Sequence, residues 1–136
     1  RNRLENSIIE TVPGATINGS LDLRVPNTTN ISFEGIEAES LLIALDLEGV
    51  SVSTGSACSS GTLEPSHVLR AMGLSASRGQ SSIRFSLGLD NNQAEVDQVV
   101  KILPPLISRL RNLRQSSRMP AHDSPPLVTI PKKGKN

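Results

Sequence analysis

The segment Ser82–Leu87 alternates polar and apolar residues, which is the pattern of a strand with one buried face. Its apolar residues share that face, and its polar residues, with Arg84 at the centre, share the other. The sequence predicts shorter extended segments at Ala15–Asn18, Asn30–Phe33 and Val50–Ser53. The fold is therefore built around a small sheet.

Helical periodicity occupies the sequence between these strands. It predicts helices over residues 1–12, Ala38–Leu47, Pro65–Met72 and Asn92–Arg114. Pro104-Pro105 should kink or split the last of these, because two backbone donors are missing there. Helices that alternate with a few short strands indicate an α+β fold, with a sheet of three to four strands covered by helices on one face.

The chain reads as one domain over residues 1–114, followed by a tail. Residues 115–136 lose the periodic pattern and are rich in Pro, Ser, Lys and Gly, so we expect this tail to be disordered. The sequence begins at Arg1, and Met72 is its first methionine. We therefore expect it to be trimmed, or a piece of a longer polypeptide.

Charge and composition exclude several classes of partner. A net charge of +1, from 14 basic and 13 acidic residues, gives no electrostatic basis for nucleic-acid binding. No apolar run is long enough to span a bilayer. Aromatic residues make up 1% of the chain, which disfavours a module that stacks bases or sugars. No residues have the spacing of a metal site, so no metal, membrane or nucleic acid is expected.

Cys58 is the only cysteine, and it lies in a stretch of small residues from Gly55 to Gly61. Such a stretch indicates a loop that can move and let other groups approach closely. A single thiol there is well placed to act as a nucleophile or an acceptor, although a small buried filler is the alternative. A lone cysteine also fits a reducing, cytoplasmic compartment.

Arg84 is the second candidate for chemistry. A guanidinium held on a strand presents a rigid fork to a carboxylate, and a solvated surface arginine is the alternative interpretation. His67 is the basic side chain nearest to Cys58 in the sequence. We interpret it as a surface histidine on a short helix.

Five segments together resemble the C-terminal part of the cysteine desulfurases. They are Asn30–Phe33, Glu37–Leu45, Ser53–Cys58, Leu63–Gly73 and Ser81–Gly88. The similarity runs in order from about Arg1 to Arg114. It implies the small C-terminal domain of a fold-type I, aminotransferase-like pyridoxal phosphate enzyme.

The resemblance implies an activity and two site residues. Cysteine desulfurases use pyridoxal phosphate to remove sulfur from L-cysteine, leaving L-alanine. Cys58 matches their nucleophile, which becomes a persulfide, and Arg84 matches the arginine that binds the substrate carboxylate. The spacing of these two residues resembles the long-loop group that supplies iron–sulfur cluster assembly. The implied partners are L-cysteine and an iron–sulfur scaffold or other sulfur acceptor, in a homodimeric parent enzyme.

The resemblance also implies where the cofactor binds. In this family the lysine that binds pyridoxal phosphate belongs to the upstream domain, and no lysine of this chain matches it. The cofactor is therefore expected on that missing domain, and the isolated chain is expected to be inactive. Two other functions stay open: a stand-alone persulfide carrier, and a non-catalytic α+β interaction module.

Overall fold

A computed structural model describes residues 1–55 and 67–118. Cys58 and most of the predicted tail lie outside these residues. The helices and strands of the described residues are, in chain order, α1 Asn2–Thr11, β1 Ala15–Ile17, β2 Thr28–Phe33, α2 Ala38–Leu47, β3 Ser53–Thr54, α3 His67–Ala71, α4 Ala76–Gln80, β4 Ser82–Ser86 and α5 Gln93–Arg118.

The four strands form one open sheet in the order β1-β2-β4-β3, and every neighbouring pair is antiparallel. The central pair has the longest register, from Thr28 opposite Ser86 to Ser32 opposite Ser82. The prediction of an α+β fold with a sheet of three to four strands is confirmed.

One face of the sheet packs against α1, α2 and α5. Ile31 and Phe33 of β2 and Ile83 of β4 are completely buried in this layer, and Phe85 is nearly so. The helices contribute buried aliphatic side chains to the same cluster, namely Leu4, Ile8, Leu41, Leu45, Leu103, Leu106 and Ile107. Each such side chain stabilises the fold by about 1.5–3 kcal/mol relative to exposure. The alternation read from Ser82–Leu87 therefore identified the buried face correctly.

The other face of the sheet is polar, and α4 lies against one end of it. The backbone carbonyl of Arg78 in α4 accepts hydrogen bonds from the hydroxyls of Ser32, at 3.3 Å, and Ser82, at 2.6 Å. Ser75 caps this helix by accepting a hydrogen bond from the Arg78 N–H at 3.2 Å. The apolar pattern did not predict α4, because a helix that packs on serines has no hydrophobic stripe.

α5 differs from its prediction in two respects. It continues to Arg118, four residues beyond the predicted end at Arg114, and it is not split at Pro104 and Pro105. The two carbonyls that lose their helical donors belong to Val100 and Lys101, and Lys101 is exposed, so water can replace its bond. Packing of the buried leucine and isoleucine side chains on either side holds the helix together. No helix within the described ranges is both apolar and long enough to cross a membrane.

A buried ion pair fastens the connection between β1 and β2 to α1. The guanidinium of Arg24 donates two hydrogen bonds to the carboxylate of Glu5, which is 3% exposed. Burial raises the pKa of Glu5, but the hydrogen bonds from Arg24 and the charges of Arg24 and Arg1 outweigh it. The pKa of Glu5 therefore lies below its usual value.

Candidate functional site

Arg84 stands at the middle of the polar face of the sheet. Its cross-strand neighbours are Asn30 on β2 and Ser53 on β3, and residues directly opposite in antiparallel strands place their side chains on the same face. The side chain is exposed. This position is the one that the alternating pattern predicted.

The polar face has hydroxyl and amide groups around Arg84 but no acidic strand residue. The strand positions on this face are Thr16, Thr28, Asn30, Ser32, Ser53, Ser82 and Ser86. Within residues 1–55 and 67–118, no side chain forms an ion pair with Arg84. The guanidinium thus has no ionic partner among the described residues, and its planar shape is suited to a carboxylate.

A buried hydrogen-bond network forms the end of this face beside α4. Ser82 is completely buried, and Asn18 and Ser32 are 6% and 4% exposed. The two hydrogens of the Asn18 amide nitrogen are shared among three acceptors, Asn30 Oδ1 at 2.7 Å and the hydroxyl oxygens of Ser32, at 2.8 Å, and Ser82, at 3.1 Å. The Arg78 guanidinium donates from Nε to Asn18 Oδ1 at 2.9 Å. Buried polar groups that satisfy one another in this way hold a single arrangement.

Sequence reasoning missed this network. The sequence pattern identifies Asn18 only as the end of the extended segment Ala15–Asn18, and it indicates no role for Arg78. The available signal was the run of small polar residues at Ser81 and Ser82, which cannot contribute to an apolar core and therefore needs hydrogen-bond partners.

The strand beside Arg84 leads toward the predicted nucleophile. Ser53 is paired with Arg84, the described chain continues to Gly55, and Cys58 is five residues beyond Ser53 in the sequence. His67 resumes the described chain at the start of α3 and is exposed, as expected for a surface histidine.

The described residues do not fit pyridoxal phosphate. Enzymes with this cofactor hold it through a lysine, and Lys101 is the one lysine within the described ranges. Lys101 is exposed on α5, which packs on the face of the sheet opposite to Arg84. No step of the chemistry is therefore assigned to a cofactor bound by these residues. Within the same ranges, no three His, Cys, Asp or Glu residues are grouped to hold a metal ion.

Comparison with known proteins identifies the family. The sequence profile of the aminotransferase class-V family matches residues 2–99. The chain belongs to this family. The cysteine desulfurase of Nostoc sp. is 48% identical over 113 residues, and "Cysteine desulfurase NifS" of Azotobacter vinelandii is 45% identical over 113 residues. Each alignment covers 83% of this chain and 28% of the relative.

Solved structures agree with the sequence relatives. A NifS-like protein superimposes with a TM-score of 0.68 at 33% identity, covering 81% of this chain and 26% of that protein. The NifS-like protein of Rickettsia africae gives a TM-score of 0.66 at 29% identity, covering 79% and 27% of the two chains. The resemblance to cysteine desulfurases is confirmed. The chain spans little more than a quarter of the length of these relatives.

Proposed function

We propose that this chain is the part of a pyridoxal-phosphate-dependent cysteine desulfurase that supplies the sulfur-accepting thiol, Cys58, and the substrate-binding arginine, Arg84. The observation that carries the proposal is the Ser53–Arg84 pair in the sheet. This pair places the start of the cysteine segment (Ser53 to Gly61) beside the guanidinium of Arg84. That guanidinium has no acidic partner among the described residues.

The overall reaction balances without an external oxidant or reductant. L-cysteine loses its sulfur and leaves as L-alanine, while the thiol of Cys58 gains that sulfur and becomes a persulfide. The carbon–sulfur bond of the substrate breaks, a sulfur–sulfur bond forms, and hydrogen replaces sulfur on the substrate carbon. Pyridoxal phosphate supplies the electron sink for this chemistry in the family.

The residues of this chain have separate tasks in that reaction. Arg84 binds the carboxylate of L-cysteine, which fixes the substrate relative to the sheet. Cys58 holds the sulfur until an acceptor removes it, and an iron–sulfur scaffold is the acceptor class that the family resemblance favours. The rest of a longer polypeptide provides the cofactor site, and the complete enzyme is a cytoplasmic homodimer.

Transfer of the matched segment into a relative tests the proposal. In a chimera, the 113 residues of this chain replace the matched segment of the Azotobacter vinelandii enzyme. We expect the chimera to form alanine from L-cysteine, and the 136-residue chain alone to form none with added pyridoxal phosphate. Cys58→Ala should lower alanine formation by the chimera by about 100-fold or more.

Ser60→Ala, in the same segment, is the matched control and should leave the rate unchanged. Equal pyridoxal phosphate absorbance in all chimeras establishes that they are folded and loaded. A loaded Cys58→Ala chimera that keeps full activity would contradict the proposal. Alanine formed by the isolated chain would show that it contains a cofactor site of its own.

A further inference from the structure

A chain of hydrogen bonds runs from α4 across the polar face to the residue opposite Arg84. Arg78 Nε donates to Asn18 Oδ1 at 2.9 Å, and Asn18 Nδ2 donates to Asn30 Oδ1 at 2.7 Å. The Asn18 backbone N–H also donates to the Asn30 carbonyl at 2.8 Å. Asn30 is therefore held by both its backbone and its side chain.

The donor and acceptor atoms in this series of hydrogen bonds follow from the chemistry of the side chains. A guanidinium has only donors, so the oxygen of the Asn18 amide must face Arg78. The nitrogen of that amide then faces Asn30, whose side-chain oxygen must accept the hydrogen bond. The amide nitrogen of Asn30 remains, and none of residues 1–55 and 67–118 accepts a hydrogen bond from it.

The remaining donor lies beside Arg84. Asn30 and Arg84 are directly opposite on antiparallel strands, and such pairs have Cβ atoms about 5 Å apart on one face. A carboxylate has two oxygens and accepts several hydrogen bonds at once, so one oxygen can meet the guanidinium while the other meets the amide. By contrast, the hydroxyls of the next pair along, Thr28 and Ser86, are 3.4 Å apart and bond each other.

We propose that Asn30 is a second binding residue for the substrate carboxylate and that Asn18 and Arg78 position its amide. The inference rests on the function proposed above, because it concerns the same carboxylate. It predicts that the polar face binds a planar carboxylate through two neighbouring groups, the charged guanidinium of Arg84 and the neutral side-chain amide of Asn30.

Titration of the isotope-labelled 136-residue chain with L-alanine tests the inference by magnetic resonance. Ethylamine, which lacks the carboxylate, is the control ligand. We expect the side-chain signals of Asn30 and Arg84 to shift together with L-alanine and not with ethylamine. Asn30→Asp keeps the size of the side chain but replaces the donor with a negative charge, and it should weaken L-alanine binding about 10-fold or more.

Kinetics of the chimera give a second measurement. Asn30→Ala should raise the KM for L-cysteine about 10-fold with little change in kcat, and Thr28→Ala, on the same strand face, should change neither. Arg78→Ala should raise the KM for L-cysteine in the parent chimera. It should cause no further rise in a chimera that already carries Asn30→Ala. A purely structural role of Arg78 would make the two effects additive.

The outcomes separate this inference from the proposed function. If the Arg84 signal responds to L-alanine while the Asn30 signal does not, and Asn30→Ala leaves KM unchanged, the role of Asn30 is wrong and the carboxylate site stands. If neither signal responds and Arg84→Ala leaves KM unchanged in the chimera, the proposed binding role of Arg84 fails, and that of Asn30 fails with it.

Discussion

Ser53 of β3 lies directly opposite Arg84 of β4, so the strand that leads into the cysteine segment is paired with the strand that presents the guanidinium. This pairing is short, because β3 has only two residues, Ser53 and Thr54. The start of the segment is thereby fixed to the sheet beside the group that we propose binds substrate. Strand pairing thus brings Ser53, five residues before Cys58, beside the arginine that we propose binds substrate, although 26 positions separate Cys58 from Arg84 in the sequence.

Replacement of Arg84 should weaken substrate binding in the chimera. Arg84→Ala removes a charge-assisted hydrogen-bond donor, a change that costs about 1.5–3 kcal/mol, so we expect the KM for L-cysteine to rise about 10- to 100-fold. Arg84→Lys keeps the charge but not the fork and should restore only part of the loss. Ser86→Ala, on the same face, is the matched control. Equal KM values for Arg84→Ala and the parent chimera would contradict the assignment.

The stability of the chain should fall in acid because of Glu5. The pKa of Glu5 in the folded chain lies below its ordinary value of 4.5, so the unfolded state binds more protons in this range. The contribution is therefore fully present above the unfolded pKa and is lost as the pH falls from about 4.5 through the folded pKa.

Denaturant unfolding at several pH values measures this effect. Glu5→Gln should remove the Glu5 part of the acid dependence. It should also lower the free energy of unfolding at pH 7 by about 2 kcal/mol, because it leaves Arg24 with a weaker partner. An unchanged acid dependence in Glu5→Gln would show that other groups control it.

A side chain at Gly14 should destabilise the fold, because two effects act there together. Its φ of +77° is unfavourable for other residues, and an added Cβ would lie 3.0 Å from Arg111 Nη2 and 3.1 Å from Glu34 Cβ. Arg111 is held there because it donates to the carbonyls of Pro13, at 2.7 Å, and Glu34, at 2.9 Å.

Gly49 is the matched control for this prediction. Its φ is +80°, but an added Cβ there would meet nothing within 4 Å. Gly49→Ala should therefore cost about 1–2 kcal/mol of unfolding free energy from backbone strain alone, and Gly14→Ala should cost more. Thermal or denaturant unfolding compares the two, and equal losses would show that the contacts of Arg111 can relax.

Local patterns predicted the sheet face and the ends of several elements. The alternation around Arg84 predicted the correct face. Asn92, at the predicted start of the last helix, forms a capping box with Glu95, with both hydrogen bonds at 3.1 Å. The glycine that ends α2, Gly49, has the positive φ that a helix-ending glycine adopts.

The features that local patterns did not predict depend on contacts between residues far apart in the sequence. β3 was predicted at Val50–Ser53 but is found at Ser53–Thr54, because pairing occurs only where the chain runs alongside β4. Val50 and Val52 instead pack against the core. The amide network of Asn18 joins residues up to 64 positions apart, and no local pattern predicts which serines meet an asparagine across a sheet.

The role of Cys58 was predicted from its neighbours and from the family resemblance, and it stays a prediction because Cys58 lies outside the described residues. The role of Arg84 also stays a prediction, although its place on the polar face is observed.

Transfer of radiolabelled sulfur from L-cysteine tests the central claim most directly. The account predicts reductant-labile label on Cys58 of the loaded chimera, and none on the chimera with Cys58→Ala. It also predicts no label on the separate 136-residue chain mixed with the intact relative, a result that distinguishes a built-in acceptor from a free carrier. A loaded chimera that forms alanine while Cys58 stays unlabelled would contradict the account.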